Sequence, residues 1–446
     1  MALTGIEIFK MLPKTNCKEC GFPTCLAFAM ALASGKAELD ACPYVSEEAK
    51  EKLAEASAPP IRPVKIGPKD AQKTIGGELV QFRHEKTFFN PTLIAGMLTT
   101  AMGDAEVADR LKTFMAMQYE RVGLNLRPEM FAIVDTDGDA GKFAALVKKV
   151  MEGSDALIML CSDKVDVLKA GAEVAKDRRP ILYAATEANA DAVGALAKEM
   201  DLPVVAKAEG YEALAALTGK LTGMGLKDLI LDSGARNIKQ VLQDNVVIRR
   251  AALVGKFRPL GFPVVNCVAE MTDDPMKQSV YAALGIAKYA AIVVLSDLKP
   301  HTVFPLLLQR LNIYTDPQKP MIVTQGIYPI NNPDENSPIA ITTNFALTYF
   351  IVSGEIEGSK VPTWLLIKDT EGLSVMTAWA AGKFSGDDVG QFVKKSGITE
   401  KAKTRSLIIP GYAAAISGDL EEELPDWKII IGPREASHIP ALLKSL

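Results

Sequence analysis

The chain has 446 residues, 48% of them hydrophobic and 23% charged, with a formal net charge of −4. That length is too great for one small core and favours about two or three domains. The slightly acidic balance gives no electrostatic case for nucleic acid or an anionic membrane, and no apolar stretch reaches the ~18–20 residues of a membrane helix.

The N-terminal run MALTGIEIFKMLPKTNC holds only a brief apolar patch and no small-residue cleavage site, unlike a signal peptide. A cytoplasmic location is expected. Four of the six cysteines then crowd into one stretch, NCKECGFPTCLAFAMALASGKAELDACP, as Cys17, Cys20, Cys25 and Cys42. Disulfides fit the count but not a chain without an export signal. Zinc suits four thiolates, yet structural zinc usually takes two paired knuckles, and here Cys42 stands alone before Pro43. A three-close-plus-one-distant pattern ending in Cys-Pro is frequent in iron–sulfur ligation, which the spacing favours over zinc. The intervening GFPT turn offers backbone amides to cluster sulfurs. Thr24 is placed to cap a short helix over 25–34 that Gly35 ends. The other two cysteines, Cys161 and Cys267, each close an apolar run and read as buried small hydrophobes.

A charged helical segment running into the proline-rich stretch 58–68 follows, marking a domain boundary near residue 60 and a tether over 43–68. Next come eight short apolar, β-branched runs, beginning at Thr87, Phe131, Ala156, Pro180, Pro203, Asp228, Pro263 and Ala291, separated by Ala-, Lys-, Glu- and Leu-rich helical segments. Continuous apolar runs alternating with helices predict parallel strands covered on both faces. Eight units in about 240 residues fit a (β/α)8 barrel better than an open doubly wound sheet. The C-terminal strand ends, where barrel enzymes keep their chemistry, hold Asp135, Thr136, Asp137, Ser162, Asp163, Asp232, Ser233, Arg236, Asn266 and Glu270. These residue types also cap βα turns. No HExxH, GxSxG or P-loop is present, and GDAGK at 138–142 is too short for a Walker motif. Scaffold or subunit interface is therefore the favoured role for the barrel.

After about residue 320 a Pro- and Asn-rich break leads into a second series of strand, turn and helix: WLLIKD, SLIIPG and KIIIG, each followed by a helix. This reads as a small Rossmann-like domain. Its turns 370–374, 410–413 and 432–436 should align along one sheet edge, where open parallel sheets bind ligands and helix N-termini present free amides. No GxGxxG fingerprint occurs, which disfavours a dinucleotide. A large cofactor rich in amide and phosphate oxygens would suit such a rim, and a docking domain without ligand stays open beside it. The expected organisation is α/β throughout: an N-terminal cluster module over 1–60, a TIM-like (β/α)8 barrel over 61–320 and a Rossmann-like domain over 321–446.

The order of these modules, the run TGIEIFKMLPKTNCKECGFPTCLAFAMALASGKAELDACPYVS and the stretch LLIKDTEGLSVMTAWAAGKFSGD resemble the large (gamma) subunit of the corrinoid iron–sulfur protein of the reductive acetyl-CoA pathway. The resemblance covers nearly the whole chain. It implies that Cys17, Cys20, Cys25 and Cys42 hold a four-iron, four-sulfur (4Fe–4S) cluster. It implies a heterodimer with a smaller barrel subunit, and a cobalamin-type corrinoid held between that partner and the C-terminal domain. It also implies a methyl carrier, loaded from methyltetrahydrofolate by a methyltetrahydrofolate:corrinoid methyltransferase and unloaded to acetyl-CoA synthase. The low-potential cluster would return Co(II) to Co(I) with electrons from an external low-potential donor. A strong lower axial ligand makes Co(I) harder to reach, and His84, His301 and His438 all lack the D-x-H-x-x-G context that supplies one. That suits a base-off corrinoid with no protein histidine. From the crevice rule and the resemblance together, the expected corrinoid contacts are Thr342, Thr348, Thr370, Glu371, Gly372, Leu373, Ser374, Gly432, Pro433, Arg434, Glu435 and Ala436. An iron–sulfur electron-transfer subunit of another redox complex is the competing reading, since similar four-cysteine modules occur in unrelated carriers.

Overall fold

A computed structural model describes residues 5–446 apart from 34–36, 38, 47–48, 50–52, 54–58, 122–123 and 317. The expected end of the first cysteine helix at Gly35 and most of the charged segment after Val45 lie outside the described residues. The chain divides into two compact units: residues 1–81, 89–116 and 128–313 form one, and residues 82–88, 117–127 and 314–446 the other.

At the start of the first unit, the helices Gly5–Met11 and Cys25–Ala33 pack on each other around Ile8, Leu12, Phe28, Ala29 and Val45. Thr24 caps the second helix as the sequence requires, its Oγ1 accepting the Ala27 N–H at 3.1 Å. From Pro59 the chain is held down: Pro59 O accepts from Arg258 and Arg62 N donates to Gly261 O. The hairpin β1 (Val64–Ile66) and β2 (Lys73–Ile75) follows at once. The expected tether over 43–68 therefore ends earlier, because Val64 and Ile66 are fully buried in the barrel core instead of lying in solvent.

The barrel strands are β3 (Leu93–Thr99), β6 (Met130–Val134), β7 (Leu157–Cys161), β8 (Ile181–Ala185), β9 (Val204–Lys207), β10 (Leu229–Asp232), β11 (Val264–Cys267) and β12 (Ala290–Leu295); β4 (Tyr119–Arg121) and β5 (Leu124–Leu126) form a hairpin of the second unit. The eight are parallel, in chain order, and close on themselves through the β12–β3 pair. Alternate side chains fill the interior: Leu93 and Ala95, Met130 and Ala132, Leu157 and Met159, Ile181 and Tyr183. The intervening Ile94, Leu98, Phe131, Ile133, Ile158 and Leu160 are equally buried under the helices, which is why these strands read as continuous apolar runs. Val64, Ile66 and Ile75 close the N-terminal end of this interior. Seven of the eight expected runs are barrel strands. The exception is the run at Thr87, which is irregular; the first strand is LIAGMLT at 93–99. Its Gly96 disguises the run, and it is needed there because an added Cβ would lie 2.6 Å from Leu298.

In the second unit, β13 (Gly326–Ile330), β14 (Ile339–Thr343), β15 (Thr363–Lys368), β16 (Ser406–Ile409) and β17 (Lys428–Ile431) form one sheet in the order β13-β15-β14-β16-β17, with only β13 antiparallel. The sequence reading found three of these five strands and missed β13 and β14. Pro329 made β13 look like a break, but β13 is an edge strand, where a missing N–H is tolerated. Apolar layers cover both faces. One is built around Ile341, Phe384, Val393 and Ile409; the other is built around Ile356, Leu365, Ile367 and Leu443.

Candidate cofactor-binding sites

The C-terminal sheet reverses its order at β14. The chain passes from β14 to β15 on one side and later to β16 on the other. A crevice opens beyond the strand ends at such a switch point. Here it is a cavity of about 280 Å³ between the ends of β14 and β16, the helix Ala346–Ser359 and the helix Ile439–Ser445. Its depth is apolar, lined by Ala340, Ile351, Val352, Ile356, Ile408 and Leu442, while its mouth carries Tyr412 and the exposed Arg434. One residue of this lining carries a buried polar atom without a partner. Thr342 is 2% exposed and lines the cavity, and its Oγ1 makes no hydrogen bond. Among the described residues it shares that condition only with Thr343 Oγ1 on the next residue of the strand. An unpaired buried hydroxyl is costly unless something else completes it.

Seven of the twelve expected contact residues line this cavity: Thr342, Thr348, Ser374, Gly432, Pro433, Arg434 and Ala436. Thr348 sits in the first turn of the helix Ala346–Ser359, not on a strand. The turns at 374, 410–412 and 432–436 do meet at one edge. The close approach is built on Gly411, where an added Cβ would stand 2.6 Å from Gly432 O and 2.7 Å from Arg434 N. Thr370, Glu371, Gly372, Leu373 and Glu435 are not in the lining. The first three serve the turn itself. Buried Asn344 accepts from Thr370 N (3.0 Å), Thr370 Oγ1 (3.1 Å) and Gly372 N (3.0 Å), and donates to Asp369 Oδ1 (2.8 Å). Glu371 and Gly372 take positive φ there, and Glu371 pairs with Lys383. Leu373 packs against the core on one sheet face, and Glu435 accepts the Tyr412 hydroxyl at 3.4 Å. Pro410 and Tyr412, unassigned at the residue level from sequence, lie in a turn the crevice rule had marked.

In the N-terminal module, Cys20, Cys25 and Cys42 share one packed cluster. Cys17 is exposed on the loop before it. Tyr44 ties the far cysteine to the near ones: its hydroxyl donates to Glu19 at 2.9 Å, and that hydrogen bond pushes its phenol up, with Cys17 and Cys42 adding in the same direction. Left-handed φ at Lys14, Asn16, Lys18 and Gly21 coils the loop around these thiols. Among the described residues no three His, Cys, Asp or Glu side chains are gathered as ligands for one ion. A polynuclear cluster asks for something else, since each cysteine binds a different iron and the thiols stand apart. The donor set, all sulfur and on two segments plus Cys42, fits that group.

The barrel candidates bind one another. Tyr183 OH donates to Asp232 Oδ2 at 2.6 Å, and Arg236 donates to both Asp232 oxygens at 3.0 and 2.9 Å, to Tyr183 OH at 3.0 Å and to Glu270. Burial alone would raise the Asp232 carboxyl; the Arg236 hydrogen bonds and charge outweigh it and hold the group below the usual carboxylate range. Asp135 accepts from Ser162 Oγ and Gly138 N, both at 2.7 Å, and Asp137 pairs with Lys142 at 2.8 Å. Thr136 Oγ1 meets Thr100 Oγ1 at 2.8 Å, and Asn266 exchanges amide hydrogen bonds with Asn245. Asp163 is exposed, and Ser233 is half-buried beside the Asp232 network. Cys161 and Cys267 are buried, and burial pushes both thiols up.

Comparison with known proteins adds to this geometry. A family model described as "CO dehydrogenase/acetyl-CoA synthase delta subunit" matches residues 63–443, and one described as "Putative Fe-S cluster" matches residues 12–44. The corrinoid/iron-sulfur protein large subunit of Moorella thermoacetica is 43% identical, covering 100% of this chain and 99% of its own length. The acetyl-CoA decarbonylase/synthase complex subunit gamma of Methanopyrus kandleri is 36% identical over 99% of this chain and 97% of its own, and that of Methanothermobacter thermautotrophicus 33% identical over 100% and 99%. Full-length similarity at these identities, with the cysteine module and the barrel both inside the matched regions, places the chain in the family of the corrinoid/iron–sulfur protein large subunits and acetyl-CoA decarbonylase/synthase gamma subunits.

Proposed function

We propose that this chain is the large subunit of a corrinoid methyl carrier, acting with a smaller barrel subunit, a methyltetrahydrofolate:corrinoid methyltransferase and acetyl-CoA synthase in the cytoplasm. The observation that carries the proposal is the apolar crevice at the sheet switch point, with Thr342, whose buried hydroxyl has no partner, in its lining and Arg434 at its mouth. An apolar slot with one spare hydrogen-bonding group and a cation at the rim suits the nucleotide tail of a corrinoid, whose base is apolar and whose phosphate and amides are polar. When bound, the cobalt supplies the nucleophile that takes and gives the methyl group.

In this reading Cys17, Cys20, Cys25 and Cys42 hold a 4Fe–4S cluster that passes an electron from an external low-potential donor to restore Co(I). All-thiolate ligation keeps the potential low, since histidine ligands raise it. The terminal Rossmann-like sheet holds the corrinoid in this reading, and the N-terminal module the cluster. An ultraviolet–visible spectrum of the anaerobically purified chain, with and without the smaller subunit, tests the proposal. Corrinoid and iron–sulfur bands together support it. A brown protein without corrinoid bands in either state would leave only an electron-transfer subunit, and a colourless zinc protein would overturn the reading.

A further inference from the structure

Asn16 stands immediately before the first cysteine and is bonded twice to the third. Its Oδ1 accepts the Cys25 N–H at 2.8 Å, and its own N–H donates to Cys25 Sγ at 3.4 Å. Both bonds depend on a left-handed backbone at Asn16, φ +49°, a conformation asparagine tolerates better than most residues. Cys25 is the first residue of the helix Cys25–Ala33, so its N–H is one of the amides a helix leaves unpaired. Thr24 satisfies Ala27 N, and Asn16 satisfies Cys25 N from the other side of the loop. One side chain thus locks the loop that carries Cys17 to the helix that carries Cys25. The same backbone directs a hydrogen bond at a ligand sulfur.

We propose that Asn16 is the positioning residue of the cluster: its side chain holds Cys25 in register with Cys17 and lies close enough to that ligand to bias the reduction potential. Hydrogen bonds to ligand sulfurs are among the factors that set iron–sulfur potentials. The inference rests on the cluster reading above.

Two variants of the full-length chain, purified anaerobically, separate position from charge. Asn16→Gly keeps the left-handed backbone and the N–H but loses the acceptor. Asn16→Asp keeps the acceptor and adds a negative charge beside a ligand. Iron release to a chelator and the cluster midpoint potential, followed by electron paramagnetic resonance, are measured in each. The Gly variant should release iron about 2- to 13-fold faster, as loss of one side-chain hydrogen bond gives. The Asp variant should retain iron like the parent while its midpoint moves negative. A Gly variant with parental release, an Asp variant with an unmoved midpoint, or an Asp variant that folds but takes up no iron would each overturn the assignment. A parent chain that itself holds no iron would refute the cluster reading instead, so the two failures are distinct.

Discussion

Thr342 makes a two-signed prediction. Its hydroxyl is buried without a partner, in a residue only 2% exposed that belongs to the crevice lining. In the ligand-free chain such a group costs ~1–3 kcal/mol. Thr342→Val removes it while keeping the β-branched shape that suits the strand. Urea unfolding of the ligand-free protein should therefore show the second unit more stable by ~1–3 kcal/mol. Corrinoid binding should move the other way. Losing one neutral hydrogen bond of ~0.5–1.5 kcal/mol weakens affinity about 2- to 13-fold, read by absorbance titration. Thr343→Val is the control, because Thr343 is equally buried and unpartnered but does not line the cavity. It should gain the same stability and leave affinity unchanged. A Thr342→Val protein that is less stable without ligand, or that binds corrinoid like the parent, would refute the assignment of that hydroxyl to the ligand.

Three further outcomes are expected. Cys20→Ala should abolish reductive reactivation of Co(II) yet leave methyl transfer from pre-reduced Co(I) intact, and loss of both in a methyl-transfer assay would show the cluster to be structural. Gly411→Ala forces a methyl to within 2.6 Å of Gly432 O and 2.7 Å of Arg434 N, both backbone atoms that cannot swing aside. It should cost ~1–3 kcal/mol in thermal or urea unfolding and weaken corrinoid binding, and an unaltered affinity would separate those turns from the ligand. Asp232→Asn should cost ~1.5–3 kcal/mol at pH 7, since hydrogen bonds to charged groups are lost. The Asp232 carboxyl is held below its ordinary 3.8, so its contribution is complete above that value and vanishes as pH falls through the depressed one. Unfolding curves of the two proteins should converge in that acid range, and a constant gap would contradict it.

The cysteine module and most of the barrel were legible because each rests on a local pattern: ligand spacing in one case, short apolar runs between helices in the other. What stayed hidden depends on distant parts of the chain. The run at Thr87 looks like a strand, yet Phe88 packs on Tyr314 in the second unit while Gly96 makes the true first strand look weak. The hairpin β4–β5 leaves the barrel sequence to join the second unit, where Arg121 lies 4.5 Å from the Phe350 ring. In the terminal sheet the crevice rule pointed to turns that do line the cavity, without knowing the strand order. It could not tell which turn residues look into the crevice and which, like Thr370, are spent holding the turn. That distinction was set by Asn344, a single buried amide some 26 residues earlier.

The barrel mouth bears on how the work is divided. A catalytic group must have hydrogen-bonding capacity left to offer a substrate, and Tyr183, Asp232 and Arg236 at this mouth have almost none. Asp232 Oδ1 accepts from Gly234 N and Arg236, and Oδ2 from Tyr183 and Arg236. Arg236 uses Nε on Glu270 and its terminal nitrogens on Asp232, Ala235 O and Tyr183, which accounts for the guanidinium donors. The Tyr183 hydroxyl both donates and accepts within the same set. Side chains from β8, β10 and the turn after β11 are thereby joined across the opening, and removing Arg236 would leave the buried Asp232 carboxylate without its cation, at a cost of several kcal/mol. That is the construction of a clasp. The cavity lined by Thr342, whose hydroxyl is unspent, is in the terminal sheet, and the four thiols with one exposed member are in the N-terminal module.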